Sequence, residues 1–265
     1  MGYFDRLFNR KQVFSMQPSD LKMWQASRAS RISPACECFK VQDGKIILRE
    51  LSFHSEAQDT SCEAWKVLND LIEVAASKGS TEFAPGLEMP PESWSQIITL
   101  PASISKLKSV RKLYLYGSHL ERVPREIGEM ESLEELDLYT SYRLHWMPFE
   151  VTRCLKLKRS RVSTRALYGN YKYRPSFPRL GGLASNASAS PGSCSVCGKD
   201  SSPDLLTQLW ISLRVATDVL PLLVNACSDE CIRRLPRLAP GYVGRPHAGG
   251  LDVVQPPTVF GPPRP

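Results

Sequence analysis

Apolar residues between positions 97 and 162 recur at a fixed interval along the chain. Leu113 and Leu136 stand 23 residues apart, and so do Leu115 and Leu138. Five more pairs keep this interval: Leu100 and Val123, Pro101 and Pro124, Ile104 and Ile127, Leu107 and Met130, and Val110 and Leu133. A looser third copy follows at an interval of 24, in Leu144, Pro148, Val151, Cys154 and Leu157. Such a period indicates a solenoid, in which each unit buries its apolar face against the next.

The spacing of apolar residues changes within each unit. Leu113 and Leu115 alternate with other residues, which predicts a short strand with both leucines facing inward. Ile127, Met130 and Leu133 recur at every third position, which predicts a helical turn on the opposite side of the unit. A proline opens that turn, where its missing amide proton is not needed.

The stretch from Val110 to Ile127 resembles the leucine-rich repeat. It follows the pattern Leu-x-x-Leu-x-Leu, then a turn, then Leu-x-x-Val-Pro-x-x-Ile. The family usually carries an Asn after the strand, whereas Ser118 and Ser141 stand near that place here and bond neighbouring backbone more weakly. The amino-acid sequence of residues 83–180 is similar to that of a group of small bacterial leucine-rich-repeat proteins. This resemblance implies a short solenoid and a bacterial source, and it implies no activity.

The chain before the repeats predicts a β-hairpin and one helix. Alternating apolar residues on either side of Asp43-Gly44 favour the hairpin, because this dipeptide supplies the positive φ of a tight turn. A helix is predicted over residues 61–78, opened by a capping box of Thr60 and Glu63 and closed by Gly79. Its apolar stripe is Trp65, Leu68, Leu71, Ile72 and Ala75. We expect this helix to cover the first edge of the solenoid.

Two cysteine pairs near the C-terminus have spacings typical of zinc ligands. Cys194 and Cys197 frame a tight turn, and Cys227 and Cys231 flank the start of a short predicted helix that Ser228 can cap. Four thiolates make a closed tetrahedral site for structural Zn2+. The arrangement resembles a treble-clef zinc finger with an unusually long interval between the pairs. A redox pair at Cys194 and Cys197 is the alternative, and His247 could replace one thiolate.

The other cysteines and histidines offer weaker patterns. Cys36 and Cys38 are separated by one residue, which is a poor spacing for a zinc knuckle, and we expect buried or idle thiols there. His119 and His145 lie among apolar neighbours, and we expect both to make structural hydrogen bonds. Neither has a Ser, Cys or Asp at a spacing typical of a catalytic triad. We therefore expect a protein that is not an enzyme.

Net charge and apolar runs bear on location and partners. The chain of 265 residues carries a formal charge of +7, a mild excess that favours an acidic partner without requiring nucleic acid. No stretch resembles a signal peptide, and no apolar run is long enough to span a bilayer. We expect a cytoplasmic protein whose eight cysteines are thiols or metal ligands rather than disulfides.

The strand positions that flank the core leucines predict a protein-binding surface. They are Tyr114, Tyr116, Glu135, Asp137 and Tyr139. Side chains at these positions would face the concave side of the solenoid, and aromatic residues are favoured anchors in interfaces. The alternative is that the tyrosines only pack on one another across the strands.

Residues 153–179 contain nine basic residues and no acidic one. Those that could hold phosphate are Arg159, Arg161, Arg165, Lys172 and Arg174. Interleaved tyrosines could stack on bases, so a nucleic-acid-binding accessory protein is the second functional hypothesis. We favour a solvated basic end of the solenoid, or a docking site for an acidic protein, because no nucleic-acid-binding motif accompanies the charge.

The predicted fold is therefore α/β: a short leucine-rich-repeat solenoid with an N-terminal α/β cap and a small C-terminal zinc module. The predicted divisions are a capping region at 1–92, the repeats at 93–180, a linker at 181–193, the four-Cys module at 194–250 and a Pro-rich tail at 251–265. The predicted function is that of a protein-protein interaction scaffold with a structural zinc ion.

Overall fold

The computed structural model describes residues 36, 38, 41–42, 45–46, 51–181 and 192–257. Within these residues the chain is a mixed α/β fold with few helices and a parallel sheet. The strands are β1 Val41–Gln42, β2 Lys45–Ile46, β3 Glu82–Phe83, β4 Lys112–Tyr114, β5 Glu135–Leu138, β6 Met147–Pro148, β7 Arg159–Val162, β8 Thr207–Val215 and β9 Asp218–Ala226. The α-helices are α1 Glu63–Ser77, α2 Pro85–Glu88, α3 Pro91–Trp94 and α4 Asp229–Arg233. Short 3-10 helices cover Ala102–Lys106, Arg125–Glu129, Phe149–Arg153, Thr164–Ala166 and Pro203–Leu205.

The interval found in the sequence is the register of the parallel sheet. The sheet has the order β3-β4-β5-β7, and all neighbouring strands run parallel. Leu113 lies beside Leu136, which is 23 residues later, and Leu136 lies beside Ser160, which is 24 residues later. The predicted strands around the core leucines are therefore confirmed, and both leucines face the interior with about 2% exposure or less.

Short 3-10 helices alternate along the chain with the strands β4, β5 and β7, at positions where the sequence predicts helical turns. Three of these helices, Ala102–Lys106, Arg125–Glu129 and Phe149–Arg153, each begin directly after a proline. Neighbouring helices pack very closely, since a methyl group added at Gly128 would lie 2.4 Å from the carbonyl oxygen of Glu150. The apolar side chains between the strands and these helices form one continuous core.

Helix α1 covers the β3 side of this core. Leu68 and Ile72 are fully buried, whereas Trp65 is partly exposed. Gly79 ends the helix in a left-handed conformation with a φ of 62°, as predicted. The predicted capping box is wrong, because the N-cap residue is Cys62 and no side chain caps this end. Instead, the Asp59 carboxylate, one turn earlier, accepts a hydrogen bond from the Ser61 hydroxyl and fixes the segment that leads into the helix.

The C-terminal residues complete the fold with a second sheet. Strands β8 and β9 form an antiparallel hairpin, and β9 also pairs in parallel with β6. The core of the parallel sheet continues into this hairpin through Ile211, Leu220 and Leu222. A second, aromatic cluster lies alongside it and consists of Leu51, Trp146, Tyr168, Phe177, Trp210, Leu223 and Val243.

The predicted N-terminal hairpin is described only in part. Its strands pair antiparallel in the predicted register, Val41 beside Ile46, while the turn at 43–44 lies outside the described residues. So do most of the predicted linker, at 182–191, and the end of the tail, at 258–265. In the part of the chain that the structure describes, no helix has the length and apolar character needed to cross a bilayer.

Candidate metal centres

The four C-terminal cysteines lie together. The sulfur atoms of Cys194, Cys197, Cys227 and Cys231 are all within 4.8 Å of one another. The Sγ atom of Cys227 is 3.6 Å from that of Cys197 and 3.7 Å from that of Cys231. These separations exceed the roughly 2.05 Å of a disulfide bond, and all four side chains are free thiols. The group can hold a metal ion.

Backbone hydrogen bonds shape the first half of this site. The Gly198 amide donates to the Cys194 carbonyl, and Gly198 has a φ of 75° that favours glycine. The Cys194 amide donates to the Lys199 carbonyl and closes the turn. Ser195 joins the turn to β9, because its amide donates to the Asn225 carbonyl while its hydroxyl accepts the Asn225 amide.

The second half of the site begins where β9 ends. Ser228 is the N-cap of α4, and its hydroxyl accepts the amide of Cys231, as the sequence predicts. The fold also fixes the first pair against the repeats. Arg153 donates to the carbonyl of Ser195, and Arg125 donates to that of Ser193. Ligands from both ends of the hairpin therefore converge at one point.

The surroundings shift the pKa values of Cys194 and Cys227 in opposite directions. Burial alone would raise the pKa of Cys194, but backbone N–H groups of Cys197, Cys227 and Val196 lower it to about 6. Hydrogen bonds with the thiols of Cys197, Cys194 and Cys231 raise the pKa of Cys227 to about 12. Crowded sulfurs that share protons in this way are suited to a cation that can replace those protons.

His247 lies away from the four cysteines. Its ring packs edge-on against Phe177 at a centroid distance of 4.6 Å, and its Nδ1 atom accepts the Gly249 amide. It belongs to the aromatic side of the molecule, and the four sulfurs meet without it.

A second group of potential ligands was not expected from the sequence. Cys36, Cys38, His54 and His145 bring one sulfur or ring nitrogen each to within 4.8 Å of one another. The Nε2 atom of His54 lies 3.0 Å from Cys36 Sγ and 3.1 Å from Cys38 Sγ. Cys36 and Cys38, expected to be buried or idle thiols, are half-buried, and both lie within hydrogen-bond distance of His54. No local pattern marks His54 as a partner of these cysteines, because the nearest of them, Cys38, is 16 residues away.

The expected protein-binding residues lie where the sheet is partly exposed. Tyr114, Tyr116, Glu135 and Tyr139 are all half-buried. Asp137 differs, because only 9% of it is exposed. Its Oδ1 atom accepts the Tyr139 amide at 3.0 Å and pairs with Arg161 Nε at 3.3 Å. Asp137 therefore supports this surface from below and does not project from it.

The five candidate phosphate-binding residues do not form one open patch. Arg159 pairs with Glu135, and Arg161 pairs with Asp137. Arg174 is buried and donates to the carbonyls of Gly169 and Gly241. Arg165 is exposed, and the ammonium of Lys172 lies over the Tyr173 ring. Internal pairing therefore occupies the charge of at least three of these residues.

His119 and His145 both make the structural hydrogen bonds expected of them. His119 Nδ1 bonds the Ser95 carbonyl at 3.1 Å, and His145 Nδ1 bonds the Ala166 carbonyl at 2.5 Å. His145 also belongs to the second group of ligands.

Comparisons with known proteins add no relative, since no protein-family model matches the chain and no curated protein matches it.

Proposed function

We propose that this chain is a non-enzymatic protein-binding scaffold of the leucine-rich-repeat type, with a structural zinc ion at the four C-terminal cysteines. The observation that carries the proposal is a pair of half-buried tyrosines side by side on the sheet. The rings of Tyr116 and Tyr139 lie 6.1 Å apart between centroids, and Arg161 lies over both. We call Tyr114, Tyr116 and Tyr139 the tyrosine face.

The repeat assignment is supported by the register of the sheet. Successive strands pair 23 or 24 residues apart, and a short 3-10 helix follows each strand on the opposite side. A stack of this kind leaves one side of the strands without a covering layer. That side is where a partner can reach the tyrosine face.

Charges on the same side of the sheet favour a protein partner over a polyanion. Across the strands, the Glu82 carboxylate pairs with the Lys112 ammonium, and Lys112 lies beside Glu135. Glu135 in turn pairs with Arg159. Neighbours of alternating sign neutralise one another. The surface is therefore left with aromatic area and little net charge, which suits a partner that contributes apolar contacts and hydrogen bonds.

The zinc assignment is supported by the size of the sulfur cluster. Four thiolates around Zn2+ at about 2.3 Å would lie about 3.8 Å from one another. The observed separations of 3.6 and 3.7 Å need only small adjustments. Four protein ligands fill a tetrahedral site and leave no position for a substrate, so the ion would stabilise the structure rather than act on a ligand.

A photocrosslinking experiment tests the binding proposal. A crosslinking amino acid replaces Tyr114 in the full chain, and the captured protein is compared with that captured when Tyr171 carries the same group. Tyr171 is exposed but does not belong to the tyrosine face. We expect a specific protein adduct at position 114, lost when Tyr116 and Tyr139 are both changed to Ala and unaffected by nuclease.

Two results would contradict this proposal. Equal capture from positions 114 and 171 would show that the tyrosine face has no privileged partner. Capture that disappears with nuclease and with rising salt would instead support the nucleic-acid hypothesis, because phosphate contacts weaken steeply as salt displaces them. The double variant Arg159→Ala and Arg165→Ala would then lose binding, while Tyr116→Ala would keep it.

A further inference from the structure

We propose that Cys36, Cys38, His54 and His145 form a second metal site, which takes a zinc-like cation and fastens the N-terminal segment to the repeats. Two thiolates and two imidazoles are a ligand set typical of structural Zn2+. The site is separate from the four-Cys centre in sequence and shares no residue with it.

The ligand atoms already converge around a small central space. His54 Nε2 lies 3.0 and 3.1 Å from the two sulfurs, and the Cys36 thiol also hydrogen-bonds the side chain of His145. A sulfur and a nitrogen on one tetrahedral zinc ion would lie about 3.6 Å apart. The two distances from His54 Nε2 to the sulfurs therefore need to lengthen by only about half an ångström to accept the ion.

The Cys36-x-Cys38 segment is folded to present its sulfurs. The Cys38 amide donates to Cys36 Sγ at 3.2 Å. An N–H group aimed at a sulfur favours the thiolate, which is the form that binds a metal. Turns of this kind bring two sulfurs to one point despite the single residue between them.

The surroundings orient both imidazoles as metal ligands. His145 bonds the Ala166 carbonyl through Nδ1, so its buried Nε2 is the nitrogen that faces the cluster. His54 turns Nε2 to the sulfurs while its Nδ1 lies 3.7 Å from Glu121 Oε2. Histidine ligands commonly give their second nitrogen to a carbonyl or a carboxylate, which fixes the ring and strengthens the ligand. The Ala166 carbonyl supports His145 in this way, and the Glu121 carboxylate lies within ion-pair distance of His54.

Glu121 is held in place for this role. Its side chain is fully buried and is paired with Arg143 as well as facing His54. Arg122 fixes the backbone of the ligand-bearing segment, because its guanidinium donates to the carbonyls of His54 and Glu56. A buried carboxylate surrounded by cations and a histidine is an expensive arrangement to maintain unless it supports a site.

The arrangement also has features of a cysteine nucleophile with a histidine base and a supporting carboxylate. In such a triad one sulfur faces the histidine and the opposite side is open to substrate. Here Cys38 is as close to His54 as Cys36 is, and His145 fills the remaining side. Four ligands around one point favour a cation, and the experiment below separates the two interpretations.

Occupation of the site would link distant parts of the chain. Cys36 and Cys38 precede the parallel sheet, His54 precedes helix α1, and His145 lies between β5 and β6. A single ion would thus connect the N-terminal segment to the third repeat and restrict the conformations of the chain between them. The fold would gain a clamp near the end of the tyrosine face, independent of the four-Cys centre.

Metal content of the full chain, purified in reducing conditions, tests the proposal. We expect two zinc ions per chain for the wild type and one for the double variant Cys36→Ser, Cys38→Ser. One ion is also expected for the double variant Cys194→Ser, Cys197→Ser. No ion is expected for the variant that carries all four substitutions. Cys62→Ser is the matched control and should retain both, because Cys62 belongs to neither ligand group and its thiol donates to the Asp59 carbonyl. With Co2+ as probe, each double variant retains one site. The charge-transfer band of the Cys194/Cys197 variant should be about half as intense as that of the Cys36/Cys38 variant, because the remaining site has two thiolates in the first and four in the second.

Limited proteolysis supplies a measurement that does not depend on metal counting. We expect a chelator to speed cleavage after Lys40, Lys45 or Arg49 at least tenfold in the Cys194/Cys197 variant, and added zinc to reverse this. His145→Asn should show the fast cleavage with or without zinc. The proposal is overturned if the wild type and the Cys36/Cys38 variant bind the same amount of zinc. It is also overturned if zinc-loaded protein is alkylated rapidly and selectively at Cys36, as an activated nucleophile would be.

Discussion

The hydroxyl oxygens of Ser118 and Ser141 lie 2.7 Å apart in the interior, just beyond the ends of two neighbouring strands. Ser141 donates its own proton to the Leu115 carbonyl at 3.2 Å, so Ser118 is the donor between the two serines. Ser163 continues the row by accepting the Thr140 amide at 2.7 Å. Serines thus bond the turns that follow successive strands of the parallel sheet.

The direction of these hydrogen bonds makes the two serines unequal. Ser141→Ala leaves the buried Ser118 hydroxyl without its acceptor, and we expect the free energy of unfolding to fall by about 1–3 kcal/mol. Ser118→Ala leaves Ser141 bonded to Leu115, and we expect a fall of only about 0.5–1.5 kcal/mol. Urea denaturation measures both, with Ser109→Ala as the exposed control. A larger loss for Ser118→Ala would contradict the assigned direction.

Gly128 lies where two neighbouring 3-10 helices approach closely. A Cβ atom there would lie 2.4 Å from the Glu150 carbonyl oxygen and 2.9 Å from Glu150 Cβ. Because the contact is with backbone, relief requires the two units to separate, and we expect Gly128→Ala to cost about 1–3 kcal/mol. Thermal unfolding checks this against Gly244→Ala, where no atom lies within 4 Å of the added methyl group. Equal stability of the two variants would show that the two 3-10 helices can separate at little cost in free energy.

The sequence predicts the central parallel strands well because their spacing is local and periodic. Leu113 and Leu136 pair because each unit has the same length and the same apolar pattern, and both facts are visible in the chain. The four C-terminal cysteines were found for a similar reason, since each pair has a short spacing of its own. Ser228 was identified as a cap from its position before Cys231.

The second ligand group could not be predicted because its members come from distant segments. His54 is 16 residues after Cys38, and His145 is 91 residues after His54. No periodicity links these positions, and only tertiary packing brings them together. The pairing of β6 with β9 is similar, since two residues, Met147 and Pro148, carry no strand pattern of their own. Burial of Asp137 likewise depends on Arg161 from the next strand.

Loss of metal from the four-Cys centre should destabilise more than the C-terminal segment. The β9 strand runs from the parallel pairing with β6 to the Cys227 end of the site, and its apolar side chains belong to the common core. We expect Cys197→Ser to remove one zinc ion and to lower the unfolding free energy by about 4 kcal/mol when free zinc is a thousandfold above its Kd. Calorimetry should show one transition at a lower temperature.

Cys62→Ser is the control for this loss, because Cys62 lies in the turn before α1 and outside both ligand groups. In the Cys36→Ser, Cys38→Ser background, which lacks the second proposed site, a chelator should lower the stability to the value found when Cys197→Ser is added, and it should leave that triple variant nearly unchanged. Two separate transitions, with the upper one unaltered, would show instead that the repeats fold independently of the C-terminal residues.

His247 should make the stability depend on pH in mildly acidic solution. Burial, with a smaller contribution from the charge of Arg245, lowers the pKa of His247 to about 4. A proton on Nδ1 would also break the hydrogen bond from the Gly249 amide. The unfolded chain takes up this proton near pH 6.5, whereas the folded protein resists it until about pH 4. The stabilising contribution is therefore complete above pH 6.5 and declines as the pH falls from 6.5 toward 4.

We expect this decline to amount to roughly 1–3 kcal/mol. His247→Asn keeps an acceptor for Gly249 but cannot be protonated, so its stability should fall less than that of the wild type across this range. Arg245→Gln removes a charge that opposes protonation, so it should reduce the decline without abolishing it. Urea denaturation at each pH, with the same excess of zinc throughout, gives the differences directly. Parallel pH profiles for His247→Asn and the wild type would mean that another group carries the effect.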